Sequence, residues 1–275
     1  MLPLKDNVPT ARLPLITMIL IAVNLVVFAW QLSLPDDSAS SPRLARLGVY
    51  ERQEASLRFG VIPARITSPG TECELLTGGA EVGSYVCGDG RGDAAGAIDL
   101  DAPPWWQTLL SAIFMHGGWV HLLGNMLFLW IFGNNVEASM GRGRFLSFYL
   151  LAGLIASYAQ AALDPGSAVP MIGASGAIAG ILGGYALLYP RAKVLSLVLI
   201  VFFVTLIEVP AMLLLGGWFV LQFLPVLGQL SNDGLDSGGI AYIAHVGGFL
   251  FGLATIRLFT RRIDTGGSHP PYPVG

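Results

Sequence analysis

The chain reads as an all-α membrane protein, a bundle of six transmembrane helices with a long outer loop between helices 1 and 2. Three observations lead there. Of 275 residues, 53% are hydrophobic and only 12% charged, about half the charged share of an ordinary soluble domain. Apolar runs of roughly the 20 residues that a bilayer crossing requires recur along the sequence. Lysine and arginine flank those runs unevenly, as they do in membrane proteins of fixed orientation. The net charge of −3 gives nucleic acid no footing.

The runs are residues 13–32, 119–138, 145–163, 175–189 with the loop before it, and 240–260. The first follows a basic N-terminus, as a signal peptide would. It is long for one, and Leu32-Ser33-Leu34-Pro35 is a poor cleavage site. Residues 194–230 are also apolar but are interrupted by Glu208-Val209-Pro210. Cytoplasmic ends carry the excess of Lys and Arg, which settles the count. Lys5 and Arg12 put the N-terminus inside, so 35–104 is outside; that segment exceeds the ~60 residues over which the charge rule operates. Arg142 and Arg144 are inside, 164–172 has no base and is outside, and Arg191 and Lys193 are inside. The stretch 231–239, with Asp233 and Asp236, is outside, and Arg257, Arg261 and Arg262 are inside. Residues 194–230 therefore cross once. Pro210 marks the start of the span, and 194–207 lies along the inner surface or extends the helix.

This parity has a chemical consequence. The second, fourth and sixth spans all run from outside to inside, and His121, Ser175 and His245 each lie near the start of one. They share a depth below the outer surface. Polar groups in bilayer-length segments are costly and usually functional. A serine needs a neighbouring base to become a nucleophile, and Gly173 and Gly176 leave N–H groups accessible where a helix begins. Taken alone, Gly-x-Ser-Gly is more simply a packing serine bonded to its own helix, and a lone His245 reads equally as incidental to packing. The glycine rows favour the chemical reading. Gly176, Gly180 and Gly184 recur every four residues, as do Gly248 and Gly252. Such rows let helix backbones approach closely, as a Ser–His hydrogen bond of ~3 Å requires. His121 and Asn125, four apart on one helix face, are donors for an oxyanion. The alternative of a metal site lacks a cysteine or carboxylate nearby, so no metal and no cofactor are expected. No Asp or Glu is placed to orient His245, which implies a dyad. His116 reads as a loop-stabilising donor, and Glu137 as an ion-pairing or helix-end residue. Cys73 and Cys87, both in 35–104, form a disulfide if that segment faces an oxidising compartment.

At these residues the chain resembles the rhomboid family of intramembrane serine proteases. The likeness runs from about 104 to 259, plus the first span. It rests on Phe114-Met115-His116-Gly117-Gly118, His121 with Asn125, Gly133 through Glu137, Gly141, Gly173-Ala174-Ser175-Gly176, Ala244-His245, Gly248 and Gly252. The resemblance implies Ser175 as nucleophile and His245 as base, with His121, Asn125 and the Ser175 N–H as the oxyanion hole. It implies a water-accessible cavity opening to the outer face, transmembrane protein substrates in a lipid bilayer, and a location in a cell membrane, expected to be a bacterial plasma membrane. It carries no signal for oligomeric state. The organisation that follows is a cytoplasmic N-terminus and first helix (1–34), an extracytoplasmic insertion (35–104), a catalytic core with five further helices (105–262) and a flexible cytoplasmic tail (263–275). Two departures stand out. Trp105-Trp106-Gln107-Thr108 replaces the Trp-Arg of many members, and Ala179 stands where some bacterial members place an aromatic against the base, so something else must hold His245. The competing readings are an inactive rhomboid-like protein that binds client helices, and a small transporter. The transporter predicts inverted repeats, which the sequence lacks.

Overall fold

The computed structural model describes residues 2–10, 12–75, 85–88, 98–200, 203–231 and 241–260. The expected tail 263–275, Arg261 and Arg262, and the stretch with Asp233 and Asp236 lie outside the described residues. A short strand β1 (Leu2–Asp6) precedes the first long helix α1 (Leu15–Ser33). The 35–104 segment contributes α2 (Pro42–Arg46), α3 (Glu51–Phe59), α4 (Pro63–Thr67) and a small sheet of β2 (Cys73–Leu75), β3 (Tyr85–Cys87) and β4 (Ile98–Asp99). Then come α5 (Trp105–Ser111), α6 (Trp119–Phe128), which continues through a π turn into α7 (Asn134–Met140), and α8 (Arg142–Leu163). The chain ends with α9 (Ser175–Leu188), strands β5 (Lys193–Ile200) and β6 (Phe203–Pro210), α10 (Ala211–Ser231) and α11 (Tyr242–Phe259).

Helices dominate. Among the described residues four are long and apolar enough to cross a membrane, namely α1, α8, α10 over 211–228, and α11. The pair 105–114 and 119–140, bent by 82°, makes a fifth if it is one span. The remaining apolar helix, α9, has 14 residues. At about 1.5 Å per residue it falls short of a ~30 Å hydrocarbon core, and a loop, 164–174, leads into it.

The all-helical expectation fails at 194–207. In its described residues this stretch does not extend α10. It is most of an antiparallel hairpin, with β5 and β6 in register from Lys193↔Pro210 to Ile200↔Phe203, and β1 adds to the free edge of β5. The composition explains it: Val194, Val198, Val204, Thr205, Ile207 and Val209 are β-branched, which favours a pleated surface over a helix. Lys193 Nζ and Glu208 Oε2, 3.3 Å apart, pair across the hairpin. Pro210 ends β6 and α10 begins at the next residue.

Polar side chains join elements distant in sequence. Glu137 accepts from the N–H groups of Ile16 (3.0 Å) and Thr17 (2.8 Å) and from the Thr17 hydroxyl (2.8 Å). It thus occupies the helix-end role, satisfying donors of the first turn of α1 that have no acceptor within the helix. Asp6, at the end of β1, accepts from the Tyr185 hydroxyl and the Asn135 amide. Arg52 of α3 donates to the carbonyls of Gln31 (3.1 Å) and Leu34 (3.1 Å), which closes the other end of α1. Cys73 and Cys87 stand opposite each other in β2 and β3 and are joined as a disulfide.

The α9–α11 seam is built on glycine. A Cβ on Gly248 would land on the Gly176 carbonyl, and one on Gly252 on the Gly180 carbonyl. Gly183 is pressed just as closely against the Phe249 carbonyl. On its other face α9 meets α8, where a Cβ on Gly176 would stand 2.7 Å from that of Ala156. Gly143, by contrast, has nothing within 4 Å.

Two outcomes follow from this packing. Gly252→Ala is expected to force the helices apart and lower the unfolding temperature in detergent, overpacking of this kind costing roughly 1–3 kcal/mol or more; Gly143→Ala, in open space on α8, should hold it or raise it slightly. Burial holds the Asp6 carboxyl above its ordinary value of 3.8, outweighing hydrogen bonds from Tyr185 and Asn135 that act the other way. A raised folded-state value contributes stability below the unfolded value and loses it as pH rises through the folded one. The carboxyl also accepts from the backbone N–H groups of Val8 and Asp6; Asp6→Asn keeps an oxygen for the Tyr185 and Asn135 donors and cannot ionise. Thermal scans should therefore show the stability of the variant rise relative to wild type as pH goes from about 3 to about 8.

Candidate active site

Ser175 is the first residue of α9, so its own N–H and those just after it lack helical acceptors. The loop reaches it through Gly173, which holds φ +125° and donates its N–H to the Ala112 carbonyl at 2.8 Å. That backbone conformation favours glycine. The glycine seam sets α11 against α9 and brings His245 to Ser175. The Oγ of Ser175 and Nε2 of His245 are 2.8 Å apart. On the other side of the ring, His245 Nδ1 is 2.8 Å from Oε1 of Gln222, on α10. The Trp218 ring, one turn before Gln222, lies 6.0 Å from the imidazole centre at a tilt of 41°.

His121 and Asn125 approach from α6. A Cβ on Gly173 would meet His121 Cε1 and Nε2 at 2.7 Å and Asn125 Nδ2 at 3.7 Å. Both side chains thus converge on the loop two residues before Ser175. His121 Nδ1 accepts from the Gly117 N–H at 3.4 Å, which leaves the proton on Nε2 and makes that edge a donor. Asn125 is buried, and its Nδ2 has no hydrogen-bond partner. A buried unpaired donor calls for an explanation, and an oxyanion formed at Ser175 would supply the missing acceptor. A cavity of about 840 Å³ is lined by Ser175, His245, His121, Asn125, Gln222 and Trp218 among others. A second, of about 50 Å³, lies behind Ser175 against Val61 and Ala112.

The four chemical residues read from the sequence are therefore in one place, and Gly176, Gly180, Gly248 and Gly252 form the seam that seats two of them. Cys73 and Cys87 do not line either cavity. His116 departs from the donor role expected of it. Its ring is buried with both nitrogens unpartnered. The backbone around it is what is held: the Gln31 amide accepts from the His116 N–H (2.9 Å) and donates to its carbonyl (3.2 Å). Sequence reasoning missed Gln222 and Trp218. A signal was present, since Gln222 interrupts an apolar run and an intramembrane polar group is a candidate by default. The sequence gives no register by which to aim it at His245.

The crowding at Gly173 is directly testable. Gly173→Ala would strain a positive φ and drive a methyl into His121. It is expected to lower the reactivity of Ser175 toward an acylating or phosphonylating probe at least tenfold while the protein remains monodisperse, one misplaced group of this kind costing up to ~10²-fold.

Comparison with known proteins bears on the whole arrangement. The Rhomboid domain matches residues 103–262. Over 150 residues the chain is 34% identical to "Rhomboid protein 1, mitochondrial" of Saccharomyces cerevisiae, covering 53% of this chain and 40% of that protein. Over 85 residues it is 49% identical to "Rhomboid protease GluP" of Bacillus subtilis, covering 31% and 16%. Over 169 residues it is 30% identical to "Rhomboid-like protein 11, chloroplastic" of Arabidopsis thaliana, covering 58% and 54%. The matched stretches span well under two thirds of these relatives. Mitochondrial and chloroplastic names stand beside bacterial ones, so the comparisons agree with a membrane protein and do not support a bacterial plasma membrane in particular. The matched domain takes up more than half of the sequence, from the residue before Pro104 to the end of α11 and just beyond, and the chain belongs to the rhomboid family.

Proposed function

We propose that this chain is an intramembrane serine endopeptidase that hydrolyses peptide bonds in or near transmembrane segments of other membrane proteins. The observation that carries the reading is the 2.8 Å contact between Ser175 Oγ and His245 Nε2 on the wall of the 840 Å³ cavity. Nε2 takes the proton of the Ser175 hydroxyl as Oγ attacks the scissile carbonyl. The carbonyl π electrons move to oxygen, and His121 Nε2–H, Asn125 Nδ2–H and the Ser175 N–H donate to the oxyanion. Collapse expels the amine, which takes the proton back from Nε2 and leaves an acyl-serine. Water then attacks that ester, its proton passing through Nε2 to Ser175.

The same reading has six helices crossing a bilayer, α1 and α9 among them, with the N- and C-termini on the cytoplasmic side and the 35–104 segment and the cavity mouth on the other. The charge asymmetry of the connecting loops supports it. Transmembrane proteins are the substrates, and no cofactor takes part.

Reconstituted wild-type protein should cleave a transmembrane reporter and be labelled at Ser175 by a fluorophosphonate. Ser175→Ala and His245→Ala should each lower kcat by up to ~10⁶ without loss of fold. Asn125→Ala should lose only ~10²–10³, the share of one oxyanion donor. Capture of a reporter helix with neither cleavage nor labelling would make this chain an inactive member of its family.

A further inference from the structure

We infer that Gln222 is the positioning residue of this site, an uncharged third member that fixes the tautomer and ring plane of His245. The inference rests on the proposed Ser175–His245 reading and deepens it. A neutral imidazole carries one ring proton, and only the tautomer with the proton on Nδ1 leaves Nε2 free to accept the Ser175 proton. An acceptor at Nδ1 selects that tautomer, the service a carboxylate gives in a Ser-His-Asp triad. Here Gln222 Oε1 stands 2.8 Å from Nδ1. No aspartate or glutamate contributes to the cavity wall among its described residues.

The local sequence makes the placement specific. Trp218 and Gln222 are four apart on α10 and so share a face, and both meet the His245 ring, one by its indole and the other by its amide. Their neighbours Leu221, Phe223 and Leu224 point away and are exposed. This pair supplies what Ala179, across the seam, is too small to supply. An amide also suits the medium. A carboxylate at this depth would have to be desolvated or neutralised, whereas an amide accepts a hydrogen bond without carrying charge.

A second consequence lies in which helix bears the residue. Ser175 and His245 sit on helices locked backbone to backbone, but α10 is the most exposed of the long helices. Only 17% of its apolar window is buried, against 39% for α8 and for α11. The hydrogen bond to Nδ1 therefore forms only while α10 is seated against α11.

The experiment compares wild type with Gln222→Met, which keeps length but loses the amide acceptor, Gln222→Lys, which offers donors only, and Gln222→Glu, which keeps an acceptor. Each is purified in detergent and checked for monodispersity. Two quantities are read: kcat and KM on a transmembrane reporter, and the rate at which a fluorophosphonate labels Ser175. Met and Lys should lower kcat and the labelling rate together, on the order of 10²-fold, with KM within about twofold. Glu should stay within about tenfold of wild type. Labelling of the Met or Lys variant at the wild-type rate, a change confined to KM, or a Glu variant as slow as Met overturns the inference and leaves the Ser–His reading intact. If one variant of the Met and Lys pair does not fold, the other against Glu decides. Failure of the wild-type protein itself to label at Ser175 removes the reading and the inference together.

Discussion

Backbone contact between α9 and α11 sets the distance on which the rest of the site depends. Glycines on α11 rest directly on carbonyl oxygens of α9, so the separation is that of two bare helices. Side chains could not reproduce it: they adjust by rotamer, and a contact made through them drifts by tenths of an ångström. Nonpolar burial gives little drive for helix association in a lipid medium, where the alternative surroundings are as apolar as a protein core. Close van der Waals contact and hydrogen bonds across helices carry that burden. The seam contributes the first, and the Ser175–His245 bond spans its end.

Polar side chains, most of them buried, do the remaining joining near the ends of helices. Glu137 holds the start of α1, Arg52 its finish, Gln31 the backbone before α6, and the Gln160 amide accepts from the Ala244 N–H at 3.3 Å. This is the expected economy of a membrane protein, in which helix ends and loop backbone need internal partners because water is scarce. It accounts for Gln31 and Gln160, polar residues within otherwise apolar helices.

Much of this was legible in the sequence. Apolar length gave the helices, and glycine spacing gave the seam, because both are one-dimensional patterns with a direct physical meaning. The convergence of His121, Ser175 and His245 was legible because each opens an apolar run, and Asn125 because it stands one helical turn from His121. What was not legible depended on rotation and long-range pairing. At 194–207 the β-branched residues were a signal for strand that hydropathy does not register, and the third strand, β1, pairs with β5 from some 190 positions away, as in Leu2↔Leu197. Gln222 was visible as a polar interruption, but the rotation of α10 about its axis decides what that amide touches, and hydropathy is silent on rotation. The His116 ring was overread because a conspicuous residue drew the role that its own backbone plays.

The bridge between the 35–104 segment and the loop before Ser175 gives that segment a mechanical meaning. Val61 and Met171 exchange both backbone hydrogen bonds, at 2.9 and 2.8 Å, and the Ala64 N–H and Thr67 hydroxyl continue the contact to Ser167 and Pro165. Ile62 and Ala64 in turn pack on the Cys73–Cys87 pair. The segment is therefore a handle on Ser175. A tug on the disulfide-tied lobe travels through two short stretches of backbone and arrives four residues from Ser175. An antibody, a lipid headgroup or a neighbouring protein that grips the lobe would be pulling on the same loop that sets Gly173 against His121.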